Sequence, residues 1–273
     1  MPRLTTHNGM SWNYEVDEGQ VEGEVIVFLH GWGGDLHLWN NQAEYFSKDF
    51  KVIRIDLPGH GQSRWVAIDL AMIAQDLESI LESLECKQIN VVGSSLGGLI
   101  ALKWFDLFPK RFKRMVLVGA FPKFLQSADY QFGLESRQLK KLENQLETDY
   151  PEIVNIFFRS LFTRRERETS RFKYLTRFRK NETVPLKEAL AEFLNILEKA
   201  DLRPTLSKLS QSAIPIQILN GTEDYICSKE TVNYLKENLP QLGVKFFEGC
   251  GHFPFLTQVQ EFNETLREFL DAS

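Results

Sequence analysis

Apolar residues gather in short runs along this chain, and between the runs they recur at helical spacing. The runs are Val25 to Leu29, Lys51 to Ile55, Ile89 to Gly93, Arg114 to Gly119, Ile214 to Asn220 and Val244 to Glu248. Several are apolar almost without a break, the pattern of strands covered on both faces. Between them, Ile68 to Leu84 sets Ile73, Leu77, Ile80, Leu81 and Leu84 on one helical stripe, and Leu96 to Phe108, Lys229 to Leu239 and Gln258 to Leu270 repeat the pattern. Strands alternating with helices predict an α/β fold with a mainly parallel sheet and helices on both faces.

One interval breaks the alternation. From Phe121 to about Leu206 only helical patterns occur, at Pro151 to Phe162, Glu166 to Phe178 and Pro185 to Lys199. The expected organisation is a core made of residues 1–120 and 207–273, with 121–206 inserted as a helical cap. Such a cap would sit over the carboxyl ends of the strands, where open α/β sheets bind ligands.

Composition narrows the class. The 273 residues, 43% hydrophobic and 25% charged, suit one enzyme-sized domain. No stretch approaches the roughly 18 unbroken apolar residues of a membrane span. Met1 to Met10 shows no charged segment leading into an apolar one, so a cytoplasmic location is expected. Cys86, Cys227 and Cys250 are odd in number and lack CxxC spacing, and are read as buried free thiols rather than a disulfide framework or zinc site. Cys250 stands two residues before His252, but i, i+2 neighbours in a loop seldom face each other as a Cys-His dyad must.

Charge adds a local feature. The net charge is −5, yet Arg159 to Lys180 carries nine basic residues against Glu166 and Glu168, a segment of +7 in a remainder of −12. A basic patch on an otherwise acidic chain points to a local acidic partner rather than a nucleic acid.

The residues that carry chemistry follow the strands. Gly93-Ser94-Ser95-Leu96-Gly97 matches G-x-S-x-G directly after one strand and directly before a helix, the setting in which the central serine stands strained and exposed on a tight turn. A serine hydroxyl needs a base to take its proton, and the base needs an acid to fix its tautomer. Asp224 follows the run Ile214 to Asn220, and His252 follows Val244 to Glu248, giving the order Ser, Asp, His. Glu223 is the rival for the acid role, with Asp201 and Asp56 behind it. Among the other histidines, His7 reads as a surface residue, His37 as part of the first helix, and His30 and His60 as loop scaffolds. Two amides are candidates for an oxyanion hole: Leu96 at its helix N-terminus, and Trp32 in His30-Gly31-Trp32-Gly33-Gly34. Trp32 and Phe121 are the candidate substrate-binding side chains. No GKS or GKT follows the glycines, no G-x-G-x-x-G opens the first helix, and no His/Asp/Glu cluster has metal-ligand spacing. A mechanism without metal or cofactor is expected.

HGWGG at His30 to Gly34, DLPGHGQS at Asp56 to Ser63, GSSLGG at Gly93 to Gly98, GTED at Gly221 to Asp224 and GHFPF at Gly251 to Phe255 together resemble the α/β-hydrolase superfamily over essentially the whole chain. Within it, HGWG, LPGHGQSR, SLGGLIA, the stretch Leu197 to Arg203 and the His-Phe-Pro-Phe context are most similar to the pimeloyl-[acyl-carrier protein] methyl ester carboxylesterases of biotin synthesis. That resemblance implies hydrolysis of the methyl ester of a pimeloyl thioester carried on an acidic acyl-carrier protein, which would dock on basic cap residues. Arg164, Arg167 and Arg171, at helical spacing, are the candidates for that docking. One position departs: where the family often has a bulky aromatic before the nucleophile, this chain has Ser94. The same serine, aspartate and histidine would equally serve a general small-ester or lactone hydrolase, a relative acting on menaquinone precursors, or a ligand-binding receptor with a slow triad.

Overall fold

The computed structural model describes residues 3–6, 9–19, 24–179 and 183–272. His7 and Lys180 lie outside these. An eight-stranded sheet forms the centre, built from β1 (Arg3–Thr5), β2 (Ser11–Asp17), β3 (Val25–Leu29), β4 (Lys51–Ile55), β5 (Ile89–Ser94), β6 (Phe112–Val118), β7 (Ile216–Gly221) and β8 (Leu242–Phe247). Their order in the sheet is β1-β2-β4-β3-β5-β6-β7-β8. β1 and β2 join antiparallel at one edge, and β3 to β8 run parallel. Every residue of β3 and β5 is buried, as their unbroken apolar runs require.

The strand order explains where the helices go. From β3 the chain crosses to β4 in one direction through α1 (Asn40–Phe46). It then moves the other way, to β5 through α2 (Leu70–Ser83) and to β6 through α3 (Leu96–Leu107). Right-handed crossovers taken in opposite directions place their helices on opposite faces. Both faces of the sheet are therefore covered. The reversal between β3 and β5 also opens a crevice at their carboxyl ends, the place where this class of sheet binds ligands.

Between β6 and β7 the chain passes through α4 (Ser136–Asp149), α5 (Glu152–Ser160), α6 (Arg164–Arg167), α7 (Ser170–Arg179), α8 (Lys187–Lys199) and α9 (Arg203–Ser210). The single helix expected over Glu166 to Phe178 is broken into α6 and α7. Thr163 caps α6 by accepting from the Glu166 amide at 3.1 Å, and the Thr169 hydroxyl accepts from the Phe172 amide at 3.1 Å as a new helix begins. The helix α4 was not anticipated. After β7 come α10 (Lys229–Asn238), and after β8 α11 (Pro254–Thr257) and α12 (Val259–Asp271). No described helix is long and apolar enough to cross a membrane.

Candidate active site

Ser95 occupies the turn between β5 and α3 with φ 53 and ψ −117, a left-handed conformation that a non-glycine residue adopts only under constraint. Its amide donates to Val118 O at 2.9 Å, and its carbonyl accepts from Gly98 and Leu99 as α3 starts. The glycines beside it are there for close approach. A Cβ at Gly93 would lie 2.6 Å from Gly97 O, and one at Gly97 would lie 2.5 Å from Leu29 O. The strand, the helix and the neighbouring strand thus meet with no room for a methyl group.

His252, in the loop after β8, brings Nδ1 to 2.7 Å from Asp224 Oδ2, and both side chains are sealed from solvent. The other carboxylate oxygen of Asp224 accepts from the amides of Ile226 at 2.8 Å and Cys227 at 3.1 Å. With its acceptor capacity so directed, Asp224 draws the imidazole proton to Nδ1 and leaves the Nε2 lone pair able to accept a proton. Glu223 is exposed on the same turn, Asp201 pairs with Lys123 and Arg203, and Asp56 accepts from Asn13, Leu36 and Gln62. None of these three rivals is hydrogen-bonded to His252.

One residue of this arrangement escaped sequence reasoning. Gly119, just past β6, has φ +57, and a Cβ there would stand 2.6 Å from His252 Cε1 and 3.0 Å from Asp224 Oδ2. It ends the run Arg114 to Gly119, where a glycine closing an apolar strand was the available signal.

The loop after β3 is braced by two buried histidines. His30 Nε2 accepts from the Leu57 amide at 2.9 Å, and its Nδ1 donates to Gly31 O at 2.8 Å. His60 Nε2 accepts from the Gly33 amide at 3.2 Å while its Nδ1 donates to Pro58 O at 3.0 Å. Burial lowers the pKa of both, that of His60 to about 3, so they remain neutral scaffolds. His37 lies in the one-turn 3-10 helix Leu36–Trp39 that leads into α1. Trp32 is buried at the centre of this loop, and its indole N–H donates to Leu190 O of α8 at 3.0 Å. Leu96, the first residue of α3, presents an amide that has no acceptor within its own helix.

Ser95, His252, Gly31 and Trp32 line one cavity of about 360 Å³. Its walls are largely apolar and come from the helices between β6 and β7, among them Leu139, Leu142, Ile153, Phe157, Leu194 and Leu197. Gln138, Lys141 and Gln145 of α4 and Tyr225 add polar groups. Phe121 is not a wall of this cavity. It is fully buried and stacked on Phe124 at 4.4 Å, and Phe124 is the ring that reaches the cavity. Ser94 is also fully buried and off the cavity surface, so its small size does not shape the lining.

The basic segment divides. Arg164 and Arg167 are exposed on α6, and among the described residues Arg164 makes a solvent-facing pair with Glu168 at 3.5 Å. Arg171 is different: it is half-buried, its Nε donates to Leu256 O at 2.8 Å, and it stands over the Tyr174 ring. Because α6 and α7 are separate helices, Arg171 does not continue the face of Arg164 and Arg167. It fastens α7 to α11. Arg179 likewise donates to Gly33 O at 2.8 Å and covers Phe158. Cys86, Cys227 and Cys250 are buried and free, and the Cys250 thiol donates to Glu166 at 3.1 Å. Burial, reinforced by that carboxylate, raises its pKa, which is the reverse of what a nucleophilic thiol needs.

Residues 24–259 match the family model described as the alpha/beta hydrolase fold. The chain is 31% identical to the pimeloyl-[acyl-carrier protein] methyl ester esterase of Nitrosomonas europaea over 240 residues, covering 88% of this chain and 93% of the relative. Among solved structures, an esterase from Exiguobacterium antarcticum superposes with a TM-score of 0.87 at 23% identity, with 99% of each chain covered. The enol-lactonase of Burkholderia xenovorans LB400 superposes with a TM-score of 0.87 at 21% identity, covering 99% of this chain and all of the other. This chain therefore belongs to the α/β hydrolase fold family.

Proposed function

We propose that this protein is a serine carboxylesterase that hydrolyses the methyl ester of a pimeloyl group carried on acyl-carrier protein, a step of biotin synthesis. The observation that carries the reading is the meeting of Ser95, on its left-handed turn, with the Asp224-paired His252 at one apolar cavity. Similarity to the pimeloyl-[acyl-carrier protein] methyl ester esterases supports the substrate. In this reading residues 121–206 form the cap and a cytoplasmic location goes with the pathway.

Ser95 Oγ attacks the ester carbonyl while His252 Nε2 takes its proton, and the Trp32 and Leu96 amides hold the oxyanion. The imidazolium, steadied by Asp224, returns the proton to departing methanol. Water then enters, gives a proton to His252 as its oxygen bonds to the acyl carbon, and the imidazolium returns that proton to Ser95 Oγ as the acid leaves. The apolar walls suit the methylene chain of the acyl group, and a cavity of about 360 Å³ lies in the range of small-ligand sites. The acidic carrier protein is attracted by the exposed cap arginines, Arg164 and Arg167.

The test is methanol release from the carrier-linked methyl ester beside hydrolysis of p-nitrophenyl butyrate, at low and high salt. Rapid, salt-sensitive demethylation is expected, with Ser95→Ala abolishing turnover of both esters. If only the small ester is cleaved, the carrier substrate is wrong. If Ser95→Ala keeps its turnover, the reaction itself is misassigned.

A further inference from the structure

The loop that bears His252 is held from the cap side as well as from the core. The His252 amide donates to Leu161 O at 2.9 Å, and the amide before it, Gly251, donates to Glu166 Oε2 at 3.0 Å. A Cβ at Gly251 would stand 2.4 Å from Leu161 O, so the two segments are in backbone contact. Glu166 belongs to α6, yet it is buried, unlike Arg164, Arg165 and Arg167 around it. Its Oε2 also accepts from the Thr163 amide at 2.7 Å, while Oε1 accepts from the Thr257 hydroxyl at 2.7 Å and the Cys250 thiol at 3.1 Å. One carboxylate thus ties α6 to both sides of His252 in sequence, at positions 250, 251 and 257.

We infer that Glu166 is a positioning residue for the base: by binding the Gly251 amide and the Thr257 hydroxyl it fixes where His252 sits relative to Ser95. The inference rests on the serine-esterase reading for its kinetic test but not for its structural one. Asp224 fixes the rotation and tautomer of the imidazole, whereas the height of the residue is set by its backbone. Two consecutive amides of that backbone end on Leu161 and Glu166. Rates of acyl transfer depend steeply on such placement, about a hundredfold for an ångström of displacement.

The sequence alone counts Glu166 as one of two acids in a basic segment. Its hydrogen-bond set gives it a role that its neighbours do not share. A glutamine could nearly reproduce that set. Its oxygen can accept from both amides, and its NH2 can donate to the Thr257 hydroxyl, which turns to Phe253 O, 3.3 Å away. An alanine leaves the two amides unpartnered.

The experiment compares Glu166→Ala, Glu166→Gln and the milder Thr257→Val by p-nitrophenyl butyrate kinetics. Alongside, the downfield Nδ1 proton resonance of His252 is followed by NMR and assigned by its loss in His252→Gln. Glu166→Ala is expected to lower kcat about tenfold or more with KM within about threefold. Its His252 resonance should shift or broaden. Glu166→Gln should keep kcat within about threefold of the parent, and Thr257→Val should fall between the two. Should Glu166→Ala fail to fold, Thr257→Val carries the comparison. Unchanged kcat and an unchanged resonance in Glu166→Ala, or in Thr257→Val if that is the folded variant, would overturn the inference, whatever happened to the melting temperature. So would a Glu166→Gln as impaired as Glu166→Ala. If Ser95→Ala leaves ester turnover intact, the esterase reading fails, and the resonance still decides the role of Glu166.

Discussion

Gly119 and His252 are packed so closely that a single methyl group on the glycine would stand 2.6 Å from the imidazole. Gly119→Ala would also force alanine to φ +57, a conformation that costs an L-residue about 1–2 kcal/mol. The ring must then shift from the position in which it meets Asp224. We expect kcat to fall about a hundredfold while KM changes little. Initial rates and a melting curve on the purified variant check this, and full activity would contradict it.

Asp224→Asn should abolish most turnover without unfolding the chain. If the asparagine oxygen keeps the Ile226 and Cys227 amides, its NH2 faces His252 Nδ1 and drives the imidazole proton to Nε2, where it blocks the base. On the proposed serine-esterase reading, a loss of about 10³ to 10⁴ in kcat is expected. Glu223→Gln, on the exposed side of the same turn, should be close to neutral. A reversal of that ranking would move the acid role to Glu223.

The arginines of the basic segment should separate by readout. Arg164→Glu and Arg167→Glu are expected to lower kcat/KM for the carrier-linked ester severalfold at low salt, to lose that effect at high salt, and to leave p-nitrophenyl butyrate unaffected. Arg171→Glu loses the bond to Leu256 O, and should lower thermal stability and affect both substrates alike. Equal behaviour of Arg171 and Arg167 on the carrier substrate alone would restore a shared docking face.

His60 predicts acid sensitivity. Burial holds its pKa near 3 in the fold against 6.5 ordinarily, so below pH 6.5 the unfolded chain takes up a proton that the folded one refuses. Stability is therefore whole above pH 6.5 and declines as pH falls toward 3. The slope is about 1.4 kcal/mol per pH unit, or about 2 kcal/mol by pH 5 from this residue alone. His30, also lowered by burial, acts in the same direction. Urea midpoints at pH 7.5 and 5.0 should show a smaller difference in His60→Gln than in the parent, and an equal difference would rule out the assignment.

Much of the fold and of the candidate site was legible in the chain because the site's side chains sit where strands end. The runs over β3 and β4 mark those strands to the residue, and the glycines around Ser95 announce a turn that sterics alone demand. Other features were legible and missed. Trp12, Tyr14 and Val16 alternate with Asn13, Glu15 and Asp17 as a strand should, and Leu139, Leu142 and Leu146 carry the helical spacing of α4. What the sequence could not disclose is partnership across distance. Nothing local distinguishes Arg171 from Arg167, or Phe121 from Phe124; only the break between α6 and α7, and the stacking of one ring behind another, assigns them different work. Glu166 is the sharpest case, since a carboxylate in a run of arginines reads as solvated until its four donors are seen.

The Leu161 carbonyl, which receives the His252 amide, sets a limit on how this enzyme could be remodelled. The side chains that wall the cavity are mostly on helices between β6 and β7, while the serine and the histidine lie outside that stretch. Transplanting those helices from a relative is an obvious route to a new substrate range. A graft that replaced everything from β6 to β7 would, however, also replace the backbone that seats the histidine. The exchange should spare residues 161–166, so that the donor supplies the walls and the recipient keeps its own hinge between wall and base.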